Sequence, residues 1–159
     1  MVWLPNVVMA AENSDDLQEF ITKSASTLTR ANDVIEVDLS QFTATTRTKT
    51  LEISTGKTYR FINGTLTAAN TFKDLLLSIS NNSTVYWSTG AIMQPRNLST
   101  SSELTNALVK IDNGIFYLTG GDIYQYKTPD GKYWVYPELV KTSSLSTSNQ
   151  IYINSGRIY

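Results

Sequence analysis

The 159-residue chain contains no cysteine and no histidine. Those two absences exclude disulfides, thiolate and imidazole zinc sites, Ser-His and Cys-His nucleophile pairs and histidine general bases. Charge is sparse as well: 13 basic and 14 acidic side chains make up 17% of the residues and leave a net charge of -1. Such a balance lacks the basic footprint of a nucleic-acid binder or of a protein held on an anionic membrane, so neither nucleic acid nor membrane insertion is expected. No apolar run is long enough to span a bilayer. The most apolar stretch, Met1 to Ala11, is broken by Pro5-Asn6 and has no basic residue before Lys23, so it does not read as a signal peptide. What fills the chain instead is 21 Thr, 17 Ser and 12 Asn, with nine Tyr among 17 aromatics. That composition favours strands and turns with polar, uncharged surfaces, at a length suited to one domain.

Residues 1–12 read as an extended apolar arm, since Trp3, Leu4, Val7, Val8 and Met9 need something to pack against. Residues 13–30 read as one amphipathic helix. Asn13 or Ser14 can cap it, Asp15 and Asp16 suit its first turn, and Leu17, Phe20, Ile21 and Leu28 share a face. Val34 to Leu39 then alternates as a strand with Ile35, Val37 and Leu39 on one side, and everything after it reads as β.

The chain repeats itself. Tyr59-Arg60-Phe61-Ile62-Asn63-Gly64-Thr65-Leu66 recurs in outline as Val85 to Ile92, as Phe116 to Ile123 and as Ile151 to Ile158. The shared pattern is apolar, any, apolar, two turn residues, Gly, any, aliphatic. Its glycines, Gly64, Gly90, Gly121 and Gly156, are 26, 31 and 35 residues apart, within the range of solenoid repeats. Leu51-Glu52-Ile53, Leu77-Ser78-Ile79 and Val109-Lys110-Ile111 add a further strand upstream of the first three corners. Every unit is therefore strand, turn, strand, Gly corner, strand. A parallel solenoid of about four coils explains this, with aliphatic residues stacked from coil to coil and Gly at corners where a side chain would clash.

A leading amphipathic helix, an Asp-Val-Ile-Glu-Val strand and coils with Gly corners resemble the right-handed, single-stranded parallel β-helix superfamily, typified by pectate lyases and by many bacteriophage tailspikes. The resemblance covers about residues 13–159 and implies that the helix caps the solenoid, with Leu17, Phe20 and Ile21 over the first coil. It also implies that the chain's last coil, ending at Tyr159, presents strand edges for association.

The family's enzymes use clustered acids with calcium and an Arg or Lys base, or carboxylate pairs. Aligned outward columns do not supply these: Arg60, Tyr86, Tyr117 and Tyr152 form one, Thr65, Ala91, Asp122 and Arg157 another, and Glu52, Ser78 and Lys110 a third. Asp112 and Asp130 fall in Asp-Asn-Gly and Pro-Asp-Gly turns. No catalytic residue, metal site or cofactor is expected.

The tyrosines form the more specific pattern. Tyr86, Tyr117 and Tyr152 are expected to stack on one face, with Tyr124 and Tyr159 repeating one strand later. Such a column suits a subunit interface, a self-stacking ladder or a sugar platform. Residues 124–137 read as an inserted hairpin around Pro129-Asp130-Gly131, whose Tyr126, Tyr133, Trp134 and Tyr136 are expected to meet a partner, a ligand or the chain's own last coil.

These readings lead to a non-enzymatic structural or attachment protein, a bacteriophage virion component such as a fibre, spike or decoration subunit. It would act as a homo-oligomer, a trimer, with other virion or surface proteins, on a virion or cell surface. A carbohydrate-binding or adhesin-like module that holds a polysaccharide is the alternative. A polysaccharide lyase or hydrolase using Asp112 or Asp122 comes third.

Overall fold

The computed structural model describes residues 14–27, 30, 32–93, 99–143 and 148–159. The arm expected over residues 1–12, together with Asn13 and Leu28, lies outside the described residues. After helix α1 (Asp16–Thr27) the chain winds through repeated triplets of short strands. The first coil comprises β1 (Val34–Asp38), β2 (Thr46–Arg47) and β3 (Leu51–Ile53); the second, β4 (Thr58–Ile62), β5 (Leu66–Ala68) and β6 (Leu77–Ser80). The third comprises β7 (Thr84–Trp87), β8 (Ala91–Met93) and β9 (Val109–Asp112), the fourth β10 (Ile115–Leu118), β11 (Asp122–Tyr124) and β12 (Val140–Thr142). β13 (Gln150–Ile153) and β14 (Arg157–Ile158) begin a further turn. Strands of successive coils pair in parallel and build three sheets, β1-β4-β7-β10-β13, β2-β5-β8-β11-β14 and β3-β6-β9-β12. The fold is a short, right-handed parallel β-helix of the pectate-lyase-like kind, with one capping helix.

Alternation within each strand sends one set of side chains inward, and the parallel register lays like upon like. On the first sheet Val37, Phe61, Trp87 and Leu118 follow one another, and the Phe61 and Trp87 rings stack at 5.1 Å. On the third, Leu51, Leu77 and Val109 do the same. These residues are fully buried. The corner glycines are required by close approach: a Cβ on Gly90 would lie 1.5 Å from the Gly64 carbonyl oxygen, and one on Gly156 would lie 2.1 Å from that of Gly121. Gly90, Gly121 and Gly156 also have φ of 76°, 134° and 96°, values that side-chain-bearing residues rarely adopt.

Helix α1 closes the first coil. Leu17 and Ile21 are fully buried beneath it, and Phe20 packs on Phe42 at 5.1 Å. Its N-cap is Asp15 rather than Asn13 or Ser14: the Asp15 carboxylate accepts the Gln18 backbone N–H at 3.1 Å, and the same carboxylate is held by Arg47 from below. Asp16 accepts the backbone N–H groups of Thr43 and Ala44 at 2.7 and 2.9 Å. The Gln18 side-chain amide accepts from the Glu52 N–H at 2.8 Å and donates to the Glu52 carbonyl at 3.0 Å. Gln18 thus imitates the peptide group of a neighbouring strand at the open edge of β3. Gln18→Ala is expected to lower stability by about 1 kcal/mol, because water can replace only part of that two-point pairing. Urea unfolding checks this, and an unchanged midpoint would show that the edge needs no partner.

The expected hairpin over 124–137 is closed by a single antiparallel bridge between Lys127 and Trp134, and its far end folds back into the solenoid. Val135 and Tyr136 are fully buried. Gln125 clasps the Tyr136 backbone, accepting its N–H at 2.6 Å and donating to its carbonyl at 2.9 Å, and the Tyr136 phenol donates to the Asp74 carbonyl at 2.9 Å. Tyr136 therefore belongs to the core and is not part of an exposed surface. The apolar Val135-Tyr136 pair gains more from burial than from projecting into solvent.

Candidate functional site

Two aromatic arrangements lie on the outside of the coils. The first is the ladder on β7, β10 and β13, where Tyr86, Tyr117 and Tyr152 occupy equivalent register positions. Their rings are 4.5 and 4.6 Å apart and within 5° and 9° of parallel. Strand spacing imposes this near-sandwich geometry, in which cross-strand pairs contribute roughly 0.2–1 kcal/mol each. Burial pushes the Tyr117 hydroxyl above the ordinary phenol range, and its two tyrosine neighbours push it further. Because each rung covers the next, the ladder presents ring edges and hydroxyls outward. A sugar ring finds no open face between the rungs.

The second arrangement is a groove of about 820 Å³ on the sheet of β8, β11 and β14, within the roughly 300–1,000 Å³ of ordinary ligand sites. The small residues Thr65, Gly90, Ala91 and Gly121 contribute to its lining. Tyr124, Tyr126, Trp134 and Tyr159 line it. Tyr124 stacks on Tyr159 at 5.5 Å and 8°, and meets Tyr126 edge-on at 5.8 Å and 87°. Burial is the main cause that raises the Tyr124 phenol, with the neighbouring Tyr126 adding to it.

The groove's polar groups are ordered by register. Asp122 and Arg157 face each other on adjacent strands, and the guanidinium donates from Nε and Nη2 to the two carboxylate oxygens at 3.1 and 2.9 Å. Those bonds hold the Asp122 carboxyl below the usual range. Arg157 also lies 5.4 Å from the Tyr159 ring, and the Lys127 ammonium 5.4 Å from that of Trp134. Trp134 is 52% exposed and Tyr133 47%. The turn that carries them is internally tied: Thr128 donates its N–H to the Tyr133 carbonyl at 2.7 Å, its hydroxyl accepts the Tyr133 N–H at 3.1 Å, and Asp130 accepts the Lys132 N–H at 3.1 Å.

Sequence columns place Asp122 and Arg157 one coil apart at one outward position, which was the signal for their pairing. Of the carboxylates considered for catalysis, Asp122 is taken by Arg157, Asp112 accepts the Ser143 hydroxyl, and Asp130 accepts from Thr128. Hydrogen bonding from Thr128 also holds the Asp130 carboxyl below its usual range. Among the described residues no group of three or more acidic side chains is arranged to hold a metal ion, and no helix is long and apolar enough to cross a membrane.

No family model, no curated protein and no solved structure matches this chain. Its class is that of the short parallel β-helix.

Proposed function

We propose that the chain is a non-enzymatic structural or attachment subunit that works as a homo-oligomer, a trimer, of the kind that bacteriophage virions carry as fibres, spikes or decoration. The observation that carries this reading is the outward face of the first sheet. From β7 to β13 its outward residues are Thr84, Tyr86, Ile115, Tyr117, Gln150 and Tyr152, uncharged throughout and centred on the stacked ladder. Charge is confined to the first two coils, at Glu36, Asp38 and Arg60. Interface cores are depleted in charge and enriched in tyrosine in this way. A stiff stack of coils with an uncharged flat face suits repeated side-by-side assembly. The engaged carboxylates support a binding role over hydrolysis, since a general acid must carry a proton that Arg157 and Thr128 disfavour on Asp122 and Asp130.

Light scattering over a range of concentrations is expected to return the mass of a trimer or larger assembly. A monomer at every concentration would overturn assembly as the function. A carbohydrate-binding role within an adhesin-like surface protein is the second reading, and the open groove beside Trp134 favours it.

A further inference from the structure

We infer that the open edge of β13 is a docking surface for the same edge of a second copy, the two strands running antiparallel about a two-fold axis through Tyr152. This goes beyond the side-by-side assembly above, which uses the outward face of the sheet, because it joins chains end to end along the stack.

β13 is the edge strand of the first sheet. Its inward residues Ile151 and Ile153 lie in register on Phe116 and Leu118. Those two are fully buried, whereas Ile151 is 38% and Ile153 55% exposed. The inward apolar pattern thus continues into β13, where it has a neighbouring coil on one side only. Exposed edges are ordinarily protected by lysine, proline or a covering segment. From Thr142 to Gly156 the sequence holds no charged residue and no proline. The opposite edge is treated differently: α1 lies over the first coil, and Gln18 pairs with the Glu52 backbone.

The occupant follows from that asymmetry. A head-to-tail neighbour would have to offer its first coil, which α1 covers, so a second copy can approach the edge of β13 only with its own β13. Such a contact is isologous and closes as a pair. Hydrogen bonding then selects the register. The Gln150 and Asn154 N–H groups donate to the Gly114 and Leu118 carbonyls of the preceding coil at 3.1 and 3.0 Å. Successive residues of a parallel strand turn their backbone groups to opposite sides, so the N–H and C=O of Ile151 and Ile153 face the open edge. An antiparallel pair centred on Tyr152 sets Ile151 against Ile153 of the second copy, and the two exchange both backbone bonds. Inward residues stay opposite inward residues, a match that a shift by one would destroy. Tyr152 then meets its own symmetry mate in a non-hydrogen-bonded pair, with Cα atoms about 4.5 Å apart. One face of the Tyr152 ring stacks on Tyr117, and through the other the ladder continues into the second copy. β13 brings no like charges together at the axis.

The chain has no cysteine, so Tyr152→Cys in the full chain carries a single thiol at the axis. Mild oxidation is expected to link such chains into covalent pairs, since the Cα separation falls within the roughly 4.4–6.8 Å that a disulfide spans. Tyr117→Cys, one coil lower, places the two thiols about 14 Å apart and is expected to cross-link at least about tenfold more slowly. Ile153→Lys should halve the solution mass and leave the circular dichroism of the folded chain unchanged, because that side chain is exposed in the single chain. Equal cross-linking of the two cysteine variants, or a mass that Ile153→Lys does not change, would overturn the pairing. So would loss of the Tyr152→Cys cross-link on removal of residues 1–12, which would make a neighbour's arm the occupant. Solution mass also separates this pairing from the side-by-side reading. Six chains falling to three with Ile153→Lys support both. Two chains falling to one support the pairing and refute the trimer, and three chains unaffected by Ile153→Lys refute the pairing alone.

Discussion

Gly90→Ala is expected to abolish folding of the solenoid. The added methyl would sit 1.5 Å from the Gly64 carbonyl oxygen and 2.5 Å from its carbon. Both are backbone atoms of the coil below, so no side chain can swing aside to admit it. Relief requires the third coil to lift away from the second, which would also separate the fully buried Phe61 and Trp87. The φ of 76° adds about 1–2 kcal/mol, because an L-residue there crowds its own carbonyl. A core separation on top of that exceeds about 4 kcal/mol, a large part of the roughly 5–15 kcal/mol that holds a domain together. Gly131→Ala is the internal control. Its φ of 72° is nearly the same, yet a Cβ there meets nothing within 4 Å, so only the same conformational cost of about 1–2 kcal/mol is expected. Circular dichroism and urea unfolding of the two variants separate steric exclusion from φ strain. Equal stabilities would overturn the close-approach account of the corners.

Arg47→Ala should lower stability by about 3 kcal/mol, the lower end of the range for breaking a buried ion pair. Arg47 is 2% exposed and occupies an inward position of β2, where its register partner in the next coil is the fully buried Ala68. Its guanidinium makes two bonds to the Asp15 carboxylate, one of 2.6 Å, and also donates to the Ala44 carbonyl at 3.0 Å. Removing it leaves Asp15 without its counter-charge, the Ala44 carbonyl without its donor and a cavity under α1. The pair also predicts the acid behaviour of the cap. Burial alone would raise the Asp15 carboxyl, but the Arg47 and Gln18 hydrogen bonds and the Arg47 charge outweigh it, and the folded group lies below its ordinary value of 3.8. A depressed folded value means that the contribution is fully present above about pH 4 and is lost as pH falls through the lower folded value. Wild-type stability should therefore decline over that acidic window. The decline should be shallower in Arg47→Ala, and parallel acid profiles would exclude the clamp as its cause.

The coils were legible because their constraints are local. A glycine at each corner and an aliphatic residue on either side announce a turn that repeats, and counting outward positions across coils brings Tyr86, Tyr117 and Tyr152 into one column. The clamp was not legible in that way. Arg47 lies in a two-residue strand too short to show alternation, and a charged residue at an inward position contradicts the pattern that reveals the rest. The groove depends on contacts farther apart still. Tyr136 reaches the Asp74 carbonyl across 62 residues, and that anchor turns the 125–137 excursion back onto the coils and sets Trp134 at the groove's edge. A Pro-Asp-Gly turn between aromatic runs suggests a projecting hairpin, and only tertiary burial of Val135 and Tyr136 overrides it.

The spacing of the corner glycines, 26, 31 and 35 residues, shows how this architecture separates the stacked coils from the loops between them. Closing a loop costs entropy only as the logarithm of its length, about 0.6 kcal/mol for each doubling, so the excursions between corners can lengthen at little cost to the stack. Strand register is fixed where coil meets coil, and it is indifferent to how far the chain wanders before returning. A descendant of this protein could exchange the exposed turn that carries Tyr133 and Trp134 for another while Val135, Tyr136 and the inward side chains of the coils stayed in place.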